Sequence, residues 1–123
     1  MAVEIRTADW KSEKHVPVIH IPDEIRAGEP FAVTVAVGEE IPHPNTPEHH
    51  IAWIELYFVP KNSKIPCFLG RAEFGAHGET GLVTAPRAMF QVSVPGPGTL
   101  VAVALCNIHG LWEGKKEIEM GSE

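Results

Sequence analysis

Short apolar segments separated by turn-forming residues make up most of the chain, and several of them alternate as half-buried strands do. In residues 31–37 the odd positions are large and apolar and the residues between them are smaller, which is typical of a strand with one face in a core. Residues 100–105 are continuously apolar and predict a buried strand. No segment has a sustained helical period. We predict strands over residues 15–21, 31–37, 51–59, 67–76, 88–94, 99–105 and 115–120.

Proline and glycine set the limits of these segments. The chain has 11 glycines and 11 prolines spread along its length, which favours short strands joined by turns. Pro17 removes a ladder donor, so the first strand is predicted at a sheet edge. In the proline-rich loop 40–50, Thr46 and Pro47 could begin one short helical turn. We predict an all-β fold, a seven-stranded antiparallel immunoglobulin-like β-sandwich, with residues 1–123 forming a single domain.

Charge and hydropathy narrow the possible partners. A formal net charge of −6 argues against nucleic acid or an anionic membrane as a partner. The longest apolar run is far below the roughly 20 residues that span a bilayer, and residues 1–6 lack the apolar core of a signal peptide. The sequence therefore predicts a cytoplasmic protein. In that reducing compartment a disulfide between Cys67 and Cys106 is disfavoured.

The motif Cys106-Asn107-Ile108-His109 is a candidate metal-binding element at the end of the buried strand. Residues three apart in an extended strand point to opposite faces and lie about 10 Å apart. A thiolate and an imidazole at this spacing share a metal only if the chain turns directly after the strand. Gly110 permits such a turn, so the motif is a moderately specific signal for a metal site.

Three upstream histidines strengthen this interpretation: His15, His43 and His49. The last two flank a segment with two prolines, which restrict the backbone and lower the entropy cost of holding both rings. Each histidine alone would more often be a solvated loop residue. Together, four imidazoles and one thiolate exceed a tetrahedral zinc site and leave one octahedral position open. Iron, copper and zinc all accept these donors, and the open position favours a redox metal that binds a small molecule.

Four ordered segments resemble the motifs of the superoxide reductases, namely residues 13–19, 40–51, 73–79 and 106–113. The resemblance is to the one-iron, neelaredoxin-like class of the desulfoferrodoxin iron-binding family. The two-iron class carries a further iron held by four cysteines, and this chain has no cysteine before Cys67. Residues 80–86 form a short connection, a loop difference outside the motifs.

The resemblance implies an iron held in a plane by His15, His43, His49 and His109, with Cys106 as the axial ligand. It implies one-electron reduction of superoxide to hydrogen peroxide, re-reduction by rubredoxin or a similar small electron donor, and a homotetramer. It also places Glu13 at the sixth position of the ferric iron and makes Lys14 the attractor of superoxide. Strand alternation would send the Lys14 side chain to the other face from His15, so its role requires an irregular segment. Backbone N–H groups of residues 107–109 could donate to the sulfur.

The remaining histidines and cysteine receive no role from the sequence. His20 and His77 are interpreted as a strand and a turn residue, His50 as pointing away from His49, and Cys67 as a buried or half-buried strand residue.

Two other classes of protein and one related activity stay open as alternatives. A cupredoxin-like electron carrier would need a methionine close after His109, but the next is Met120, eleven positions on. A non-enzymatic immunoglobulin-like binding module predicts a colourless protein. A superoxide dismutase would need a reduction potential that permits both half-reactions, which the sequence does not reveal.

Overall fold

Two antiparallel sheets form the protein, and the computed structural model describes residues 4–120. The small sheet has the order β1-β2-β5 and the large sheet the order β4-β3-β6-β7. The seven strands are β1 (Val18–His20), β2 (Phe31–Ala36), β3 (Ile51–Pro60), β4 (Cys67–Glu73), β5 (Arg87–Val92), β6 (Gly98–Cys106) and β7 (Gly110–Ile118). The predicted all-β, seven-stranded antiparallel fold class is confirmed. None of the described residues forms a helix that is long and apolar enough to cross a membrane.

The hydrophobic core lies between the two sheets. The alternation in β2 buries Phe31, Val33 and Val35, and the large sheet contributes Ile54 and Leu56 of β3, which are fully buried. Burial of one such side chain stabilises the fold by about 1.5–3 kcal/mol. The core therefore fixes the sheets rigidly beneath the loops at their ends.

The first strand is shorter than predicted, because two backbone donors are missing from its beginning. Residues 15 and 16 lie in a turn, and β1 starts only at Val18. The N–H of His15 donates to the Glu13 carboxylate at 3.0 Å, and Pro17 has no N–H to give. Neither residue can join the ladder, so the segment that carries His15 is irregular.

The last strand begins earlier than predicted, at Gly110 and not at residue 115. Gly110 and Gly114 interrupt the alternation of apolar and polar residues, so the sequence pattern did not predict this part of the strand. Pairing with β6 extends without a break from Cys106 opposite Gly110 to Gly98 opposite Ile118. The fourth strand is shorter than predicted: β4 ends at Glu73, whereas the sequence predicted a strand over residues 67–76.

Candidate metal centre

Three distant parts of the chain meet at one end of the sandwich. They are the turn before β1 with His15, the loop between β2 and β3 with His43 and His49, and the connection between β6 and β7 with Cys106 and His109. Four of these side chains form a compact group: His15, His49, Cys106 and His109. Each offers one ligand atom, and these four atoms all lie within 4.8 Å of one another. The structure therefore brings together residues that are up to 94 positions apart.

The turn predicted after Cys106 is present. Residues 107–109 form a three-residue connection, and Gly110 has a φ of 82°, a left-handed conformation that glycine adopts without strain. The turn brings the Cys106 Sγ to 3.6 Å from the His109 Nδ1. The backbone N–H of His109 also donates to the sulfur at 3.4 Å. Cys106 itself is 1% exposed, so the thiol faces the site from the protein interior.

Asn107 connects this turn to the loop that carries His49, a role that the sequence did not indicate. Its backbone N–H donates to the carbonyl of His50 at 3.1 Å, and its side-chain oxygen accepts the N–H of His50 at 2.8 Å. Its side-chain amide donates to the carbonyl of Glu48 at 3.0 Å. The partners lie 57 and 59 residues away, so only their contact in the fold reveals that Asn107 joins the two segments.

A β-bulge lies directly beside Cys106. The pairing of β3 with β6 runs from Ile51 opposite Cys106 to Trp53 opposite Leu105, which leaves Ala52 as the extra residue. The carbonyl of Ala52 accepts the N–H of Phe74 at 3.0 Å. Bulges bend a strand and change the direction of its side chains. This one lets β3 leave the sheet toward His49 and His50.

His43 is oriented by its own loop. Its Nδ1–H donates to the carbonyl of Pro44 at 2.7 Å, which leaves the lone pair on Nε2. The Nε2 atoms of His43 and His49 are both buried without a hydrogen-bond partner. Although His43 lies outside the 4.8 Å group, its ring centroid is 4.9 Å from that of His15 and 4.6 Å from that of His49. Two buried, unpaired ring nitrogens beside a thiol fit a bound cation.

The segment between the two loop histidines closes as a turn and forms no helix. The Thr46 hydroxyl accepts the N–H of His49 at 3.1 Å, as an N-cap would. Backbone hydrogen bonds between the same two residues run in both directions, at 2.9 and 3.1 Å. This closed turn, which contains Pro47, fixes the direction in which His49 leaves the loop.

His15 is held by the carboxylate of Glu13. Its Nδ1–H donates to Glu13 Oε1 at 2.6 Å, while its Nε2 lies 3.1 Å from the His109 Nδ1. Burial of the carboxylate would raise the pKa of Glu13, but hydrogen bonds from the side chain and backbone of His15 outweigh it and lower that pKa. Glu13 thus lies on the Nδ1 side of the ring, and the sixth-ligand role stays a prediction that requires this contact to break.

Burial and nearby charge favour the neutral form of His43 and His49. Desolvation lowers the pKa of His43 to about 4 and also lowers the pKa of His49. The positive charge of Lys14 contributes to both shifts. Lys14 is half-buried in the turn before His15, so the irregular segment that its predicted role requires is present. Neutral imidazoles have the lone pairs that a metal needs.

The other histidines lie outside the ligand group. The ring of His50 stacks on that of His77, with centroids 3.5 Å apart and planes at 5°. The Nδ1–H of His77 donates to the side-chain oxygen of Asn45 at 2.8 Å, and that of His50 to the carbonyl of Thr46 at 2.9 Å. His20 contacts the Glu39 carboxylate at 2.8 Å on the surface. The stacked pair thus packs against the loop that carries His43 and His49.

The two cysteines differ in their surroundings. Cys67 begins β4 and is exposed, whereas Cys106 is buried, and both thiols are free. The prediction that Cys67 is buried or half-buried is wrong, because β4 lies at the edge of the large sheet and Cys67 is its first residue.

Comparison with known proteins gives a consistent result. The family model for desulfoferrodoxin matches residues 7–115. The superoxide reductase of Pyrococcus horikoshii is 53% identical over 115 residues, which cover 94% of this chain and 96% of that protein. The neelaredoxin of Megalodesulfovibrio gigas is 48% identical over 122 residues, with 94% of each chain covered.

Solved structures of superoxide reductases are similar to this chain in both fold and sequence. The superoxide reductase (neelaredoxin) of Archaeoglobus fulgidus in the reduced form has a TM-score of 0.84 and 52% identity, and the match covers 94% of this chain and 98% of that one. The superoxide reductase of Nanoarchaeum equitans has a TM-score of 0.83 and 42% identity, with 94% and 100% covered. The chain therefore belongs to the desulfoferrodoxin family, as its four sequence motifs predicted.

Proposed function

We propose that this protein is a superoxide reductase, which adds one electron and two protons to superoxide and releases hydrogen peroxide. The observation that carries the proposal is the set of donors at one end of the sandwich. It combines a buried thiol with the unpaired, buried Nε2 atoms of His43 and His49. The similar proteins named superoxide reductase support the same activity.

The residues proposed to hold a single iron are His15, His43, His49, Cys106 and His109. Imidazole and thiolate together suit iron, and five donors leave one octahedral position for a small substrate. When bound, the iron would supply the Fe2+/Fe3+ couple that transfers the electron. The chain prepares the ligands, because Pro44 and Glu13 each accept an Nδ1–H and thereby direct the opposite nitrogen to the site.

Three features of the chain support the proposed reaction: a positive charge that attracts superoxide, access of solvent protons, and a hydrogen bond to the Cys106 sulfur. The charge of Lys14 is near enough to affect the pKa of Glu13, His43 and His49, so it can attract an anion despite the acidic chain. His109 is exposed, and we propose that the protons come from solvent at this edge. The backbone N–H of His109 donates a hydrogen bond to the Cys106 sulfur, and this bond would lower the electron density that the sulfur supplies to a bound iron.

An outside donor must restore the electron after each turnover. We propose rubredoxin or a similar small electron carrier as this donor.

The location, domain organisation and assembly of the protein are also proposed. We propose that it is cytoplasmic, that residues 1–123 form a single domain, and that four copies assemble into a homotetramer. The assembly is supported by exposed apolar side chains, with Ile65, Phe68 and Met89 exposed by 60–71%. Covering an exposed apolar side chain with a second subunit removes its surface from water and is favourable.

The visible spectrum of the purified protein, with its metal content, tests the proposal. One iron per chain and a thiolate charge-transfer band that bleaches reversibly on reduction are expected. Cys106→Ser should lose both the band and the reduction of superoxide. Cys67→Ser is the matched control and should keep both, because that thiol is exposed and lies outside the ligand group. A colourless protein after anaerobic loading with iron would overturn the enzyme and favour the binding module.

A further inference from the structure

Trp112 contacts two of the proposed ligands without belonging to the ligand set. Its ring stacks on the ring of His15, with centroids 4.8 Å apart and planes at 14°. Its indole Nε1–H donates to the carbonyl of His109 at 3.3 Å. The side chain is 7% exposed, so both contacts are made in a largely dry environment.

The indole is itself firmly fixed. Trp112 lies in β7 opposite Ala104 of β6, and its backbone pairs with Arg6 in a parallel bridge. The guanidinium of Arg6 lies 5.5 Å from the ring centroid, within range of a cation–π interaction. An indole has only two side-chain torsions, so these contacts hold it at a low cost in entropy.

His15 needs such a support because its hydrogen bond to Glu13 leaves one rotation of the ring free. The other rings in contact with it belong to His43 and His109, which are proposed ligands themselves. The hydrogen bond from Nδ1 to Glu13 fixes the position of one ring atom, but the ring can still turn about the axis of that bond. The backbone offers little restraint, since His15 precedes the first strand and lies in a turn. Stacking on a flat, immobile surface removes this rotation and fixes the plane in which the Nε2 lone pair lies.

We propose that Trp112 is a positioning residue of the metal centre, which fixes the ring plane of His15 and the backbone of His109 together. The inference rests on the proposed ligand set. One rigid side chain thereby sets the relation between two ligands that are 94 residues apart. Loss of a group that orients metal ligands typically weakens metal binding about 10- to 100-fold.

The test uses cobalt(II) titrated into metal-free protein, because its absorption bands report the ligand geometry and it does not turn over superoxide. Trp112→Leu removes the stacking and the hydrogen bond, and we expect about 10- to 100-fold weaker cobalt binding and shifted bands. Trp112→Phe keeps a flat ring, so a smaller loss of affinity is expected. A purely structural role would lower the unfolding midpoint but leave the band positions of the loaded protein unchanged.

Trp53→Leu is the matched control. Trp53 lies in β3 with the guanidinium of Arg71 at 4.4 Å from its ring, and it lines a cleft on the outer face of the large sheet. Its replacement should leave the cobalt affinity and bands as in the wild type. Folding of each variant is checked by circular dichroism, and Trp112→Phe decides the matter if Trp112→Leu fails to fold.

Wild-type affinity and wild-type bands in Trp112→Leu, or in Trp112→Phe where Trp112→Leu does not fold, would overturn the positioning role. So would a wild-type protein that binds no cobalt. If the wild type binds cobalt through the thiolate but the iron-loaded protein fails to reduce superoxide, the proposed function fails and the role of Trp112 remains. The two proposals are thus separated by independent readouts.

Discussion

At the scale of single residues, the hydrogen bonds of the imidazoles decide which nitrogen each presents. His43 donates from Nδ1 to the carbonyl of Pro44 and His15 from Nδ1 to Glu13. Each bond selects one tautomer and leaves the lone pair on Nε2. His109 differs, since its Nδ1 faces the Cys106 sulfur. The proposed centre therefore uses both kinds of ring nitrogen, which the spacing of residues alone does not specify.

Replacement of Lys14 by alanine should slow the capture of superoxide. Its positive charge acts on the surroundings of Glu13, His43 and His49, and attraction of an anion raises its rate of association. We expect a several-fold lower second-order rate at low salt and a weaker dependence on ionic strength. Stopped-flow or pulse-radiolysis kinetics over a series of salt concentrations measure both.

Lys61→Ala is the control for this experiment. Lys61 follows the ten-residue strand β3, whose other end lies beside Cys106, so it is about 30 Å from the site. Its removal should leave the rate nearly unchanged. An identical salt dependence in Lys14→Ala and the wild type would contradict the role of Lys14.

The stability of the metal-free protein should fall as the pH drops from about 6.5 to about 4. Burial lowers the pKa of His43 from 6.5 to about 4, so the unfolded state binds more protons in this window and stability rises with pH. The lowered pKa values of His49 and Glu13 act in the same direction. The contribution of His43 is on the order of 3 kcal/mol when complete.

Urea unfolding at pH 7.5 and pH 4.5 measures this loss. In His43→Gln the titrating group is absent, so this variant should lose less stability between the two pH values than the wild type loses. Equal losses in the two proteins would show that burial of His43 has no part in the acid sensitivity.

At the scale of elements, short connections bring the proposed ligands together on rigid strands. The β6–β7 turn positions Cys106 and His109, and the bulge at Ala52 directs the start of β3 toward the loop with His49. Gly38 allows that loop to approach, because a Cβ there would lie 2.5 Å from the backbone nitrogen of His43. The precision of the site therefore depends on backbone contacts between elements.

Gly114→Ala should destabilise the protein and disturb the segment that carries His15. A Cβ at Gly114 would lie 2.0 Å from the carbonyl oxygen of Pro17, so β7 and the segment before β1 would have to separate. Overpacking of this kind costs about 1–3 kcal/mol. We expect that loss in urea unfolding, together with weaker metal binding.

Gly75→Ala serves as the comparison. No heavy atom outside its chain neighbours lies within 4 Å of a Cβ built there, so the change should alter neither stability nor metal affinity appreciably. If Gly114→Ala behaved like Gly75→Ala, close packing between β7 and Pro17 would not be what holds His15 in place.

At the scale of the whole molecule, a bound metal would link parts of the chain that fold from far apart. The turn at His15, the loop at His49 and the hairpin at Cys106 would be joined through one ion. Because the unfolded chain does not hold these donors together, binding favours the folded state. The metal centre is then a source of global stability as well as activity.

Removal of the metal should lower the free energy of unfolding by an amount set by its affinity. At a free metal concentration 100 times the Kd, the bound form gains about 2.7 kcal/mol over the metal-free form. Urea unfolding at several concentrations of cobalt(II) measures the gain. Cys106→Ser should show a smaller increase, and an equal increase in both proteins would contradict the participation of the thiolate.

The sequence by itself determined the fold class, the family and the candidate ligands. Alternation in residues 31–37 and the apolar run 100–105 predict strands because side chains in a strand point to opposite faces in turn. Gly110 predicts the turn after Cys106 because few other residues adopt its backbone conformation. These are local properties, and four ordered motifs added the iron site by resemblance. The single domain, the homotetramer and the electron donor stay predictions.

Only the tertiary structure decided which residues support the centre and where the outer strands end. Asn107 contacts His50, which is 57 positions away. Trp112 contacts His15 in the turn before β1, which is 97 positions away. The stack of His50 on His77 joins the β2–β3 loop to the β4–β5 loop, a contact that no sequence pattern predicted. The start of β7 followed from its register with β6 and not from its own alternation. Such features depend on non-local packing, which no pattern within one segment contains.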